Sequence, residues 1–345
     1  MKASYSKYIL NFKRPSGTSR GVLKTKETWF IKIEDDTGFG IGECGILRGL
    51  SLDDVPEFEN QLKWACENIN MGFNYLSEQL KLFPSIKFGL EMAFKSLNSQ
   101  NPFYLFDTDF YKHQQGITIN GLIWMGDKSF MFEQIKAKLD QGFSCIKLKI
   151  GAIDFQAELD LLAYLRSKFS AEVLELRVDA NGAFNPDHAL QKLEKLSQFN
   201  LHSIEQPIKQ NKWQAMRELC KNTPLPIALD EELIEVVDTT HRAKLLDEVK
   251  PQYIILKPSL VGGFSDSSEW IKLAENRKIG WWITSALESD IGLNAIAQYA
   301  STFQLDKPQG LGTGSLYTNN ITSPLEVKGE KLFYNSKLKW ETPQV

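Results

Sequence analysis

The sequence predicts an α/β protein in which a barrel of alternating parallel strands and helices follows a smaller α+β domain. Five short apolar runs, rich in Ile, Leu and Val and bounded by Gly or Pro, each end in a charged residue. Such runs are typical of buried parallel strands. Their charged ends lie roughly 25 to 30 residues apart, about one strand plus one helix, which is the period of a (β/α)8 barrel. The charged ends are Lys149, Asp179, Glu205, Asp230 and Lys257.

Length and composition narrow the class of protein. At 345 residues the chain is long enough for a barrel and a second domain. A hydrophobic content of 42% and a charged content of 24% are ordinary for a soluble globular protein. A net charge of −3 and the lack of a Lys/Arg block argue against a nucleic-acid partner, and no apolar run is long enough for a membrane span. Residues 1–14 show no secretory signal, so we expect a cytoplasmic protein.

The cysteines are scattered, without a CxxC motif or the spacing of a zinc site. We expect all of them to be buried, reduced thiols. They are Cys44, Cys66, Cys145 and Cys220.

The first third of the chain has the pattern of an α+β domain. Residues 1–12 and the run TWFIKIE predict strands, and Pro15–Gly21 between them is either a hairpin loop or a mobile lid. Helical patterns follow in PEFENQLKWACENI, NYLSEQL and PSIKFGLEMAFKSL. We expect this domain to span residues 1–115 and the barrel residues 116–314, with PQGLGTG at the eighth strand position. Residues 315–345 predict a hairpin that returns to the first domain.

One motif in the first domain resembles a cofactor fingerprint. Gly40, Gly42 and Gly45 fit G-x-G-x-x-G, which binds dinucleotides when it joins a strand to a helix in a βαβ unit. Here the glycines follow an antiparallel hairpin, so we expect them to form a turn close to the barrel mouth instead. Ser51 and Asp54 predict a capping box that opens the next helix.

Three carboxylates are expected to meet at the barrel rim. Asp179, Glu205 and Asp230 end the third, fourth and fifth strands, which are neighbours in a barrel. Acids this close repel one another unless a cation lies between them, and a hard divalent ion such as Mg²⁺ prefers oxygen ligands. At the third position Glu231 could replace Asp230 as the ligand. The alternative is that each acid separately caps the helix after its strand.

Lysines are expected on both sides of this site. Lys149 ends the second strand and Lys257 the sixth, so they face each other across the ring. Lys147 lies two residues before Lys149 and points the same way, and Arg177 stands in the same relation to Asp179. The like charge of Lys147 and partial desolvation favour the neutral amine that Lys149 needs as a base. The alternative is a set of surface lysines that extend to solvent.

This combination favours proton abstraction α to a carboxylate. The product of that step is an enediolate, whose charge a divalent metal and a nearby lysine can stabilise in a site with little water.

At these residues the sequence resembles the enolase superfamily, in its muconate-lactonizing branch. The motifs are GIGECG, K-x-K, VDANG, IEQP, LDEE and LKPS, and they span nearly the whole chain. The resemblance implies a (β/α)7β TIM-like barrel with an α+β capping domain formed by the N-terminal part and the C-terminal tail. It also implies bound Mg²⁺, with Mn²⁺ as an alternative, and a small-molecule carboxylate as substrate.

Within that branch, LKPSLVGG, SALESDIGLNAIAQ and GLGTGSLYTNN resemble the o-succinylbenzoate synthase family, hydro-lyases of menaquinone biosynthesis. The resemblance implies that Lys149 takes the proton α to the carboxylate and returns it to the leaving hydroxyl. Lys257 would steady the enediolate from the other face.

The same resemblance implies that Ser285, Gly312 and Thr313 hold the succinyl end of the substrate. Arg177, which strand alternation turns inward, is also expected to bind substrate. Asn181 and Glu288 are expected to support the site from behind, although Glu288 could also face the ligand.

Two other functions stay open at this point. An N-succinylamino acid racemase or a related muconate cycloisomerase would use the same two lysines. A non-catalytic barrel would be expected to lack one of the acids or lysines, and all five are present. The chain has no His near the seventh strand, as mandelate-type members have, and no D-x-D at the eighth, as dipeptide epimerases have.

Overall fold

The first domain is built on a long antiparallel hairpin. A computed structural model describes residues 1–18 and 21–345. β1 (Lys2–Thr18) pairs with β2 (Gly21–Asp35), which pairs with β3 (Gly38–Gly45). The two long strands thus extend into the predicted loop Pro15–Gly21 from both sides. The question of a lid concerns its centre, Ser19 and Arg20, which lies outside the described residues.

The helices of this domain pack on the sheet. α3 (Pro84–Leu97) reproduces the predicted helical segment PSIKFGLEMAFKSL. Gly40 and Gly42 let β3 approach α3 closely, because a Cβ at Gly42 would lie 1.9 Å from the carbonyl oxygen of Gly89 in that helix. These glycines therefore lie in a strand, and the prediction of a turn at the barrel mouth is wrong. The helices are α1 (Phe58–Glu67), α2 (Gly72–Gln79), α3 (Pro84–Leu97) and α4 (Asp109–Lys112).

The barrel is a seven-stranded parallel sheet that closes on itself. Its strands follow one another in chain order from β5 to β11. Gln309 bridges to Ile119, and Gly310 bridges to Thr284, so the predicted eighth position joins the two edges. After the short strand β4 (Ile117–Thr118), the barrel strands are β5 (Gly121–Ile123), β6 (Cys145–Lys149), β7 (Glu175–Asp179), β8 (Ser203–Glu205), β9 (Ile227–Leu229), β10 (Tyr253–Leu256) and β11 (Gly280–Ile283).

Helices cover the outside of the barrel, and the apolar side chains between strands and helices form the main core. The segments that connect successive strands form these helices. They are α5 (Lys128–Asp140), α6 (Phe155–Lys168), α7 (Pro186–Ser197), α8 (Trp213–Asn222), α9 (Thr239–Val249), α10 (Pro258–Val261), α11 (Phe264–Glu275) and α12 (Asp290–Ala300), with 3-10 turns at Ile69–Met71, Glu231–Leu233 and Gly314–Leu316. The TIM-like barrel with a separate antiparallel domain is the fold that the sequence predicted.

The C-terminal tail contacts both parts of the molecule. Its hairpin, β12 (Leu325–Lys328) and β13 (Lys331–Tyr334), pairs with β4 at the start of the barrel. Tyr317 bridges to Phe12 of β1. The domain boundaries drawn from the sequence stay a prediction. Across the described residues, no helix is both long and apolar enough to cross a membrane.

Candidate active site

The three predicted carboxylates lie side by side at the carboxyl ends of neighbouring strands. The register pairs Asp179 with Glu205, and Asp230 directly follows β9, the next strand. All three side chains are buried, with at most 2% of their surface exposed. The strand register alone therefore brings these acids together.

Three lysines surround the acids. Lys147 donates to Glu205 at 2.5 Å and lies 3.0 Å from Asp179, which also accepts from Lys149 at 2.6 Å. Lys257 pairs with Asp230, and its Nζ lies 4.0 Å from Glu205. The alternative of surface lysines extending to solvent is wrong, because each of the three is at most 8% exposed.

These acids and lysines shift one another's pKa values. Burial works to raise the pKa of Asp179, but Lys147 and Lys149 hold it well below its ordinary value. Burial and the neighbouring Asp179 raise the pKa of Glu205 well above its ordinary value. Burial would lower the pKa of Lys257, yet Asp230 and Glu205 raise it. Adjacent buried carboxylates repel one another unless a cation lies between them, and Glu205 is the acid whose pKa this repulsion raises.

The donor set fits a hard divalent cation. Within the described residues the acids do not form a preformed metal cage, because they turn toward the lysines. Glu205 Oε1 is nevertheless buried without a hydrogen-bond partner there. A buried carboxylate oxygen that lacks a hydrogen-bond donor, between two further carboxylates, is the kind of oxygen site that Mg²⁺ occupies.

Asn181 links the second strand to the fifth. It has a left-handed backbone, with φ of 44°, and its Oδ1 accepts from Lys149 at 2.9 Å. Its Nδ2 donates to Glu231 at 3.0 Å. Glu231 thus faces Asn181 while Asp230 faces Lys257, which favours Asp230 as the third acid of the site.

A cavity opens directly above the lysines. The space inside it, including open solvent at its mouth, is about 720 Å³. Lys147, Lys149 and Lys257 line it together, so all three lysines predicted to be catalytic share one cavity. Its lining includes the predicted Ser285, Gly312 and Thr313, the polar Asn120 and Thr284, and the apolar Leu23, Leu47, Leu50, Leu122, Trp124, Ala286 and Leu287.

Two family profiles match the chain. The family described as "Enolase C-terminal domain-like" matches residues 131–333, and the one described as "MenC, N-terminal domain" matches residues 2–97. An o-succinylbenzoate synthase of Desulfotalea psychrophila is 48% identical, over 95% of this chain and 98% of the relative. The chain belongs to the o-succinylbenzoate synthase family of the enolase superfamily.

Solved structures agree with this membership. MenC from Desulfotalea psychrophila superposes with a TM-score of 0.86 at 44% identity, covering 96% of this chain and 99% of that one. The L-Ala-D/L-Glu epimerase from Bacillus subtilis reaches 0.82 at 18% identity, over 99% and 97% of the two chains. The second likeness concerns the fold, which the superfamily shares across different reactions.

In this member of the o-succinylbenzoate synthase family, Arg177 lies away from the cavity. Its guanidinium bonds Glu175 at 2.6 Å and the carbonyl of Pro308 at 3.0 Å, and it stacks over the ring of Trp282 at 4.5 Å. Glu175 begins its strand, so the side chain points toward the opposite end of the barrel from the lysines. Arg177 therefore supports the barrel interior and is not among the residues that line the cavity.

Glu288 also lies behind the cavity wall. It is fully buried and accepts hydrogen bonds from Ser259 and from the backbone N–H of Ala286. This position favours a supporting group over a ligand-facing one, and the role of Glu288 stays a prediction.

Sequence reasoning missed several residues of the cavity. Trp124 and Asn120 flank β5, whose place as the first barrel strand was the signal that could have found them. Leu23, Leu47 and Leu50 come from the first domain, and no sequence signal relates them to the barrel mouth.

Proposed function

We propose that the protein dehydrates 2-succinyl-6-hydroxy-2,4-cyclohexadiene-1-carboxylate to o-succinylbenzoate, with Mg²⁺ as cofactor. Family membership supports the reaction. The observation that carries the residue assignment is that Lys149 and Lys257 line one cavity with Lys147, and that these lysines pair with three buried carboxylates.

Asp179, Glu205 and Asp230 are the residues that would hold the metal. The bound ion would supply positive charge beside the substrate carboxylate, where negative charge develops. The lysines that now pair with these acids lie next to the same position.

Lys149 is the proposed base. Its neutral amine accepts the proton on the carbon α to the carboxylate, and the electron pair of that C–H bond enters the enediolate. The pair then forms the new ring double bond as the C–O bond at the neighbouring carbon breaks. Lys149 returns its proton to the leaving hydroxyl, so that one water is released and the ring becomes aromatic.

Lys257 and Lys147 act through charge. The Lys257 ammonium stabilises the enediolate from the opposite side of the cavity. Lys147, bonded to Asp179 and Glu205, keeps two of the acids in place and adds positive charge near the substrate carboxylate.

The remaining cavity suits the two ends of the substrate. The leucines and Trp124 provide an apolar wall for the ring. Ser285 and Thr313, whose hydroxyls lie 2.6 Å apart, provide polar contacts for the succinyl end.

The direct test is to incubate the purified protein with the cyclohexadiene substrate and Mg²⁺ and to follow the absorbance of the aromatic product. We expect turnover that depends on enzyme concentration. A protein that binds the substrate but leaves it unchanged at any Mg²⁺ concentration would contradict the proposal.

Racemisation of N-succinylamino acids is the second candidate, because lysines line the cavity at opposite strands. It needs Lys257 as an acid on the second face, so Lys257→Ala should abolish it while dehydration loses only the electrostatic contribution of that lysine. We expect kcat/KM for dehydration to exceed that for any N-succinylamino acid by at least about 10-fold, or about 1.4 kcal/mol. The reverse order would make racemisation the main activity.

A further inference from the structure

Residues 310–314 carry two of the groups assigned to the succinyl end of the substrate. Gly312 and Thr313 line the cavity, and the Thr313 hydroxyl lies 2.6 Å from that of Ser285. Residues 310–313 belong to no helix or strand, so the regular hydrogen bonds of such an element do not hold them. Contacts with other segments must therefore position the Thr313 hydroxyl.

The first end of this segment is attached to β11. The N–H of Gly310 donates to the carbonyl of Ile283 at 2.9 Å, and the carbonyl of Gly310 accepts from the N–H of Ser285 at 3.1 Å. The two chains lie so close that a Cβ at Gly310 would be 1.8 Å from Oγ1 of Thr284. Gly310 is thus fixed to the stretch of chain that carries Ser285.

The other end is attached to α12 through the side chain of Asn320. Its Nδ2 donates to the carbonyl of Gly314 at 2.7 Å and to Oδ1 of Asp290 at 2.8 Å. Its Oδ1 accepts from the N–H of Asp290 at 2.9 Å, one of the N–H groups that have no partner within a helix at its start. An aspartate of the same shape could make only the accepting bond, because a carboxylate donates nothing.

Asp290 is in turn held in a defined orientation. It is buried, and its Oδ2 accepts from the hydroxyl of Ser323. Its Oδ1 also lies against the turn, since a Cβ at Gly314 would be 2.6 Å from it. Asp290 lies in the first turn of α12, three residues after Leu287 of the cavity wall. Both ends of residues 310–314 are therefore anchored to one continuous stretch of chain, from β11 to α12.

The chain beyond the turn has anchors of its own. The hydroxyl of Tyr317 donates to the carbonyl of Leu287 at 2.7 Å. The N–H of Thr318 donates to the carbonyl of Asn11 in β1 at 2.9 Å. Loss of the hydrogen bonds that Asn320 donates should therefore release the turn without detaching the C-terminal tail.

We propose that Asn320 and Asp290 are positioning residues for the succinyl end of the substrate: the Asn320 amide, oriented by Asp290, holds the carbonyl of Gly314 and thereby keeps the Thr313 hydroxyl beside that of Ser285. A carboxylate that accepts from both hydroxyls needs them at a fixed separation, because an O–H···O hydrogen bond has a narrow range of distances. The identity of this ligand rests on the proposed function.

Asn320→Asp is the main test, because it keeps the size of the side chain and its acceptor but removes both donated hydrogen bonds. Asn319→Asp is the matched control. The Oδ1 of Asn319 accepts from the N–H of Asn11 at 2.8 Å, and its Nδ2 donates to the carbonyl of Ile9 at 2.7 Å. The same substitution there removes the same kind of bond, but from β1 instead of the turn.

A combined variant, Asp290→Asn with Asn320→Asp, separates positioning from stability. The new amide at position 290 can donate to the new carboxylate at position 320 and can still accept from Ser323. The contact between the two positions is thus restored with its direction reversed. Nothing in this variant restores the donor to the carbonyl of Gly314.

For each protein, kcat and KM for dehydration are measured. The dissociation constants of o-succinylbenzoate and of benzoate, which lacks the succinyl chain, are determined in the presence of Mg²⁺. The free energy of unfolding in urea and the rate of hydrogen exchange in residues 310–316 are recorded on the same samples.

We expect Asn320→Asp to raise KM and the dissociation constant of o-succinylbenzoate by about 10-fold, the order of one hydrogen bond to a charged group. The value of kcat should change by less than about 3-fold, because the proposed base Lys149 is untouched. Benzoate should bind as before, and exchange in residues 310–316 should become faster. The combined variant should regain unfolding free energy but keep the raised KM, and Asn319→Asp should change none of the kinetic or binding constants.

An equal loss of affinity for o-succinylbenzoate and benzoate would overturn the proposal, and so would a KM that recovers together with stability in the combined variant. If Asn320→Asp does not fold, the combined variant decides alone: a KM equal to that of the unmodified protein contradicts the proposal. If the unmodified protein neither dehydrates the substrate nor binds o-succinylbenzoate, the proposed function fails. Exchange in residues 310–316 then decides whether Asn320 holds the turn, since Asn320→Asp must accelerate it and Asn319→Asp must not.

Discussion

Buried carboxylates are stabilised in different ways in the two parts of this molecule. At the barrel mouth, Asp179, Glu205 and Asp230 are paired with lysines. In the first domain, Glu43, Asp53 and Glu91 instead accept from groups at helix N-termini: α12, α3 and α11, respectively. Helix capping was the alternative explanation for Asp179, Glu205 and Asp230, here called the mouth acids. It applies instead to Glu43, Asp53 and Glu91, here called the capping acids.

Under the proposed function, the difference separates acids that stabilise the structure from acids that bind a metal. A helix N-terminus satisfies a carboxylate with fixed N–H groups and leaves no room for a ligand. A lysine side chain is flexible, so under the proposed function it could turn from a carboxylate to the substrate. The following experiments test this contrast, from the largest expected effect to the smallest.

Removal of divalent metal should abolish turnover, because the mouth acids then keep only the lysines as partners. Activity is measured after exhaustive chelation and again after addition of Mg²⁺, with Asp179→Asn as the matching variant. Capping acids need no metal, so the unfolding transition of the first domain should be unaffected by chelation. Full activity in the chelated protein would show that the mouth acids do not bind an essential ion.

Lys149→Ala should lower kcat for dehydration by at least about 10²-fold, the lower end of a general-base contribution. Lys168→Ala, at an exposed position near the end of α6, is the control and should leave kcat unchanged. Exchange of the α-proton with deuterated solvent should fall in parallel. A variant that dehydrates at the original rate would remove Lys149 from the mechanism.

Asn181→Ala should lower kcat by about 10-fold, the smaller effect expected of a group that orients its neighbours. The amide of Asn181 orients Lys149 and contacts Glu231, and its loss lets the lysine turn wholly toward Asp179. The measurement is kcat with Mg²⁺ at saturation, so that weaker metal binding does not contribute. An unchanged kcat under those conditions would limit Asn181 to a structural role.

Asp53 tests the capping acids through stability. Burial raises its pKa to about 6, although Ser85 donates to it through both its N–H and its hydroxyl. The native state therefore binds a proton more tightly than the unfolded chain, whose Asp titrates near 3.9. Stability from this group is present below about pH 4 and is lost as the pH rises to about 6, an amount of about 2–3 kcal/mol.

The Asp53→Asn protein should lack this loss, because an amide stays neutral and can still accept from Ser85. The difference in unfolding free energy between the two proteins is measured in urea from pH 4 to pH 7, which cancels the titration of other groups. Asp36→Asn, in the exposed turn between β2 and β3, is the control. A difference that does not change with pH would contradict the assignment.

The barrel and the proximity of the mouth acids could be predicted, because both follow from the order and register of the strands. Consecutive strands that each end in a charged residue place Lys149 beside Asp179 and Asp179 beside Glu205, and no further information is needed. α3 was predictable for a similar reason, since its apolar spacing and the Pro at its start are local signals.

Features that depend on tertiary contacts could not be predicted. Alternation along β7 correctly predicted that Arg177 points into the barrel. No local signal indicates which end of the barrel a long side chain reaches, and the Arg177 guanidinium donates to the carbonyl of Pro308. The prediction of a capping box at Ser51 is also wrong. The Ser51 hydroxyl accepts from the N–H of Leu47, and the helix begins only at Phe58. Glu288 likewise accepts from Ser259, 29 residues earlier in the chain, and no local signal indicates that contact.

The carboxylate caps between the domains have a consequence for protein engineering. Glu43 and Glu91 belong to the first domain, whereas their partners on the barrel include the backbone N–H groups of Gly292, Phe264 and Ser265. Backbone donors are available in any sequence that forms these helices. We therefore expect that a first domain can be exchanged between related barrels. The exchanged domain must keep Glu43 and Glu91, and the receiving barrel must keep Gly292 in the first turn of α12.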